Sequence, residues 1–147
     1  MFASSEVWLL QSVGGIQPAP DARGFDKVLI KPAPPAGLTH ASASYHTHRG
    51  RISTSWTKAA ASTGLTSLKL TMTIPPNVAA TVHVPTVSGR VRDAETGLLL
   101  LVCPHAHLQI VQLPLSASPV ATLQGRRESG SMVVEVGSGD WTFEADF

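Results

Sequence analysis

Cysteine, charge and aromatic rings are all scarce in this sequence. Its single thiol, Cys103, excludes an internal disulfide framework and any multi-cysteine zinc site. Charged residues make up only 14% of the chain, and 11 Lys and Arg against 10 Asp and Glu leave a net charge of +1. That balance supplies no field for drawing in nucleic acid or an anionic lipid surface, so neither is an expected partner. So little charge points instead to a surface partly covered by something else. Long hydrophobic runs are also missing. The most apolar stretch, Leu98–Cys103, stops at Pro104, far short of the roughly 20 residues that cross a bilayer. The N-terminal MFASSEVWLLQ has no basic leader and carries Glu6 inside its apolar stretch, so no signal peptide is expected and the chain reads as soluble. What is present is a folding composition. Hydrophobic residues are 43% of the chain, and its 147 positions allow one domain, or one domain plus a short appendage.

One helix is expected, over residues 1–16. Ser4 or Ser5 can cap it, and Phe2, Leu9, Leu10, Val13 and Ile16 recur at helical spacings. Gly14-Gly15 supply a left-handed stop, and Pro18 and Pro20 prevent continuation. A lone helix of about three turns is marginal in water. Its apolar stripe, with Trp8 beside it, therefore needs a partner surface.

From Gly24 onward the period changes to two. Phe25–Lys31 reads as a strand ended by the Pro32/Pro34/Pro35 cluster. Thr39, Ala41, Ala43 and Tyr45 alternate with His40, Ser42, Ser44 and His46; a tight turn at Thr47–Gly50 follows, and then Ile52, Thr54 and Trp56 share a face. Leu68, Leu70, Met72 and Ile74 form the cleanest half-buried row, followed by Val78, Ala80, Val82 and Val84. Met132, Val134 and Val136 lead through a glycine-rich turn to Trp141, Phe143, Ala145 and Phe147. Short alternating strands with 13 Thr and 14 Val indicate six or seven strands. The expected fold is all-β: an antiparallel β-sandwich preceded by one short α-helix. Residues 1–20 read as the helix and linker, and 21–147 as the sandwich with an insertion at about 86–131. Within that insertion one extra hairpin could form from Gly97–Val102 and His107–Leu113.

Few residues carry reaction chemistry. Hydrolysis by a pair of acids requires two carboxyl groups held across one scissile bond, about 6.5–9.5 Å apart where a water must fit between them. Of the ten acids, Glu144 and Asp146 share a strand face roughly 6–7 Å apart, a spacing far more often solvated than catalytic. Glu6 suits the first turn of the helix as a partner for its dipole. The pairs His46/His48 and His105/His107 read as surface or loop histidines, because Pro104 distorts the Cys103/His105/His107 spacing and no second ligand cluster is evident. Cys103 reads as an idle thiol. Trp56 and Trp141 lie on inward rows and read as core rather than as a sugar platform, whereas Tyr45 could point either way.

Five ordered blocks, covering about two-thirds of the chain, resemble the C-terminal end of the bacterial-type α-L-rhamnosidases. Ser5–Leu10 through Gly14-Gly15-Ile16 resembles the last helix of their (α/α) barrel. Gly24–Pro32 resembles the first strand of the domain behind it. Ala43-Ser44-Tyr45 with Gly50–Trp56 is similar to the central hairpin, and Ile74–Pro85 and Val136–Phe143 to the closing strands. The resemblance implies a β-sandwich appended to a barrel that hydrolyses terminal α-L-rhamnose with inversion. It also implies that the barrel's catalytic carboxylates lie outside this sequence. The chain alone is then expected to be inactive, with no catalytic residue, metal or cofactor of its own, and to buttress a barrel, in cis or in trans, through Phe2, Trp8, Leu9, Val13 and Ile16. The alternative is a free-standing carbohydrate-binding module for rhamnose-containing glycans. Two features depart from the family pattern: the length and apolarity of 86–131, and the His46-Thr47-His48 turn.

Overall fold

The computed structural model describes residues 3–60, 66–94, 99–101, 125–128 and 130–147. A short helix, α1 (Ala3–Trp8), runs into a π-helical segment at Leu9–Val13, closed by a hydrogen bond of 2.9 Å from the Gly14 amide to the Leu9 carbonyl. Eleven strands follow among the described residues: β1 (Ile16–Pro18), β2 (Lys27–Ile30), β3 (His40–Thr47), β4 (Gly50–Ala60), β5 (Thr66–Ile74), β6 (Ala79–Pro85), β7 (Arg90–Asp93), β8 (Leu99–Leu101), β9 (Gly125–Glu128), β10 (Ser131–Val136) and β11 (Gly139–Asp146). They form two sheets, ordered β1-β2-β6-β10-β9 and β3-β4-β5-β11-β7-β8. Every pairing is antiparallel except β2 with β6. The all-β sandwich is therefore the observed fold.

The core lies between the two inner faces, where the period-two rows meet. Val28, Ile30, Ala80, Val82, Val84, Met132, Val134 and Val136 come from the five-stranded sheet, and Ile52, Trp56, Leu68, Leu70, Met72, Ile74 and Phe143 from the six-stranded one. Register fixes these rows. Phe143 lies opposite Leu70 and Trp141 opposite Met72, so a slip of one residue would expose the whole inward set of β11.

Three expectations need correction. The helix ends at Val13, not Ile16, and Ile16 begins β1, pairing with Ile30. Only Gly15 of the glycine pair is left-handed (φ 77°); Gly14 keeps right-handed helical angles. Its Gly15 carbonyl accepts from the Lys31 amide at 2.8 Å, so the chain passes from helix to sheet edge within two residues. Finally, Arg90–Asp93, read as part of a polar insertion, is a strand between β11 and β8. It escapes pattern reading because Val91 is its one inward apolar side chain. Of the hairpin that could form within the insertion, Leu99–Leu101 is a strand, and His107–Leu113 lies outside the described residues.

Candidate functional site

Among the described residues, it is the C-terminal end of the helical segment that is fastened to the sandwich. A helix leaves its last carbonyls without intrahelical donors. Here two side chains of β4 supply them: the Trp56 indole Nε1–H donates to the Val13 carbonyl at 2.8 Å, and the Thr54 hydroxyl to the Gly14 carbonyl at 2.7 Å. Both donors are buried, so the latch is shielded from competing water. Gly14 is pressed against β3, where an added Cβ would collide with the Ala43 side chain. Val13 is buried and Leu10 packs partly against the core.

Beyond this latch the helix projects outward. Val7, Trp8 and Leu9 are 47%, 57% and 52% exposed, and Ser5, Glu6 and Gln11 are exposed too. Consecutive helical residues are 100° apart, so these three apolar side chains are spread over an arc of about 200°, with Gln11 and Ser5 between them. Three large apolar side chains exposed on one short helix make a surface suited to contact with a partner. The structure also redraws the stripe read from the sequence. Val13 and Ile16 belong to the sandwich core and cannot reach a partner, Trp8 and Leu9 stay available, Val7 joins them, and Phe2 lies outside the described residues.

The other singled-out residues fall in separate places. Trp56 is enclosed. Trp141 is half-buried, packs on the core beside Phe143, and donates its Nε1–H to the Gly137 carbonyl at 3.1 Å. Tyr45 is 39% exposed with its ring 5.2 Å from Phe25 at the edge of the sandwich. His46 stands opposite Arg51 on the outer face, and the His48 ring lies over Gly24. Cys103, His105 and His107 lie outside the described residues. Among the described residues no three His, Cys, Asp or Glu side chains cluster as metal ligands.

Glu144 and Asp146 do share the outer face of β11. Lys69 Nζ lies 3.9 Å from Glu144, and the Ser88 hydroxyl donates to Asp146 at 3.0 Å. They line a depression of about 330 Å³ together with Ser67, Arg90, Arg92 and Ala145. A second depression of about 220 Å³ lies on the same sheet over β3, β4 and β5. At the other end of the molecule the Lys27 ammonium donates to Asp21, which holds that carboxyl below its ordinary range and the ammonium above its own.

This architecture has known counterparts. The model of the bacterial alpha-L-rhamnosidase C-terminal domain matches residues 15–98, more than half of the chain. The chain belongs to that family. Among curated relatives, the alpha-L-rhamnosidase of Streptomyces avermitilis is 31% identical over 84 residues, and that of Formosa agariphila 34% identical over 79. These matches cover 57% and 54% of this chain but only 8% of each relative. Solved structures agree: the Streptomyces avermitilis alpha-L-rhamnosidase complexed with L-rhamnose superposes with a TM-score of 0.67 at 28% identity, over 97% of this chain and 11% of that one. The Dictyoglomus thermophilum enzyme shares the fold, with a TM-score of 0.72 at 19% identity over 97% of this chain and 13% of its own. The C-terminal rhamnosidase domain thus corresponds to a small part of multidomain enzymes in which it sits with a catalytic domain. Among the described residues no helix is long and apolar enough to cross a membrane.

Proposed function

We propose that this rhamnosidase C-terminal domain is a non-catalytic support for a helical-barrel glycosidase domain, gripping it through the projecting helix. One observation carries the reading: a helix anchored at its C-terminal end by Thr54 and Trp56 presents Val7, Trp8 and Leu9 to the outside. The latch holds the helix at a fixed attitude to the sandwich, so a partner packing on it is positioned by the sheets. Burying what remains exposed of the three side chains would contribute about 3–4 kcal/mol. A carbohydrate-binding role finds less support in aromatic geometry, since Trp56 is enclosed and the half-buried Trp141 packs its ring on the core beside Phe143.

The carboxylates support the same view. Glu144 and Asp146 stand on one face of one strand with a lysine and a serine already engaging them. Inverting hydrolysis instead requires an acid and a base on opposite sides of the scissile bond. The test is to assay the purified chain on an aryl α-L-rhamnoside. The expected rate equals that of E144Q and D146N; release of the aryl group that either substitution abolishes would overturn the assignment.

A further inference from the structure

We infer that the outer face of β5, β11 and β7 carries a binding site for a hydroxylated carboxylate, the chemistry of a sugar acid. The site is the depression of about 330 Å³ already located, at the low end of the roughly 300–1,000 Å³ typical of small-ligand sites. Register brings its charged groups together. Glu144 lies opposite Arg92, and Ala145 opposite Val91, which places Asp146 across from Arg90. Such cross-strand neighbours would ordinarily form two ion pairs. They do not: Glu144 faces Lys69 on its other side, and Asp146 takes the Ser88 hydroxyl. Among the described residues neither guanidinium has an ion-pair partner within 4.0 Å.

The chemistry of the lining selects the ligand. Two guanidiniums two residues apart on one strand lie roughly 6–7 Å apart along it, and each presents a planar fork suited to a carboxylate. A bare anion would satisfy the arginines and leave Glu144 and Asp146 facing it unfavourably. A ligand that adds hydroxyl groups supplies donors for those two acceptors, and the Ser67 hydroxyl can serve either need. Counting Lys69, three cations face two carboxylates, so the local balance favours a ligand with one negative charge.

The neighbouring surface fits a saccharide continuing from that end. Along β5, Ser67 in the first depression and Thr71 in the second are about 13 Å apart by strand rise. The second depression is lined by Ser42, Ser44, Ser53, Ser55, Thr71 and Thr73, short hydroxylated side chains that leave the face low and hydrogen-bonding. Arg51 lines it too. The site lies on the sheet's outer face, away from the latch, so it stands or falls separately from the supporting role of the helix.

The test is titration of the ¹⁵N-labelled full chain with D-glucuronate, D-glucose and acetate, read by amide shifts. Saturable changes at Arg92, Ala145 and Ser67 with glucuronate are expected, with Kd on the order of 1 mM. Glucose and acetate should each bind about tenfold more weakly, because each lacks one half of the recognised chemistry. R90Q and R92Q should weaken glucuronate about fivefold or more while leaving thermal unfolding unchanged. An equal response to acetate would reduce the site to a simple anion patch and overturn the inference. So would an equal response to glucose, or shifts that never saturate.

Discussion

Replacing Thr54 with valine isolates the helix latch. Valine has nearly the shape of threonine, so the change removes the hydroxyl and little else. Thr54 is 2% exposed, and its hydroxyl reaches the Gly14 carbonyl at 2.7 Å. In T54V that carbonyl is left buried without its donor, at a cost of about 1–3 kcal/mol. The extra apolar methyl returns up to about 0.8 kcal/mol, leaving a net loss of roughly 1–2 kcal/mol. With a urea slope of about 2 kcal/mol/M, the unfolding midpoint should fall by roughly 0.5–1 M at unchanged slope. T57V is the control, since Thr57 lies on the outer face of the same strand and is exposed; its effect should stay within about 0.5 kcal/mol. If T54V and T57V unfold together with the unsubstituted chain, the latch contributes nothing and the fixed attitude of the helix loses its basis.

Other substitutions probe neighbouring features. W56F removes the donor to the Val13 carbonyl, and combined with T54V it should depart from additivity by at least about 0.5 kcal/mol in a double-mutant cycle, because both donors hold one turn. K58M should destabilise by about 1–2 kcal/mol in thermal unfolding, as the Lys58 ammonium donates to the Pro34 and Pro35 carbonyls at 3.1 and 2.7 Å and lies 4.7 Å from the Phe147 ring. G15A should cost about 2 kcal/mol or more by the same measurement, since Gly15 has φ 77° and a Cβ there would strike the backbone at Lys31 and Pro32. In an NMR titration, Asp21 should ionise below its ordinary 3.8, chiefly through its hydrogen bond from Lys27, and K27M should return it upward. The pair's small contribution is present above that ordinary value and is lost as pH falls through the depressed one; at the alkaline end it is present below 10.5 and is lost as pH rises through the raised Lys27 value.

Strands with long period-two rows were legible, and elements set by tertiary contact were not. Leu68, Leu70, Met72 and Ile74 alternate with polar residues and are all buried, because one face of β5 meets the core and the other meets water. The short β1 hides behind Ile16, whose spacing from Val13 mimics a helical step; pairing with Ile30 outweighs that local preference. The Lys58 ammonium sits beyond the end of the inward Ile52–Trp56 row, a place alternation alone would give to an apolar side chain. The candidate docking surface was half legible. Leu9 lies on the apolar stripe and Trp8 beside it, but pattern alone cannot say which end of that stripe the molecule's own sheets consume. The depression around Arg90 and Arg92 needed the register of β7 on β11, which a strand with a single apolar residue does not announce.

The proposed supporting role depends on the exposed helix finding a partner. The most direct measurement is the thermal unfolding of an α-L-rhamnosidase barrel deprived of its own C-terminal domain, with and without this chain added in trans. A rise in the barrel's midpoint is expected, weakened in the W8A/L9S variant, whose lost burial of about 2 kcal/mol corresponds to roughly thirtyfold in affinity. A midpoint unmoved by the chain, or raised equally by the chain and by W8A/L9S, would contradict the account.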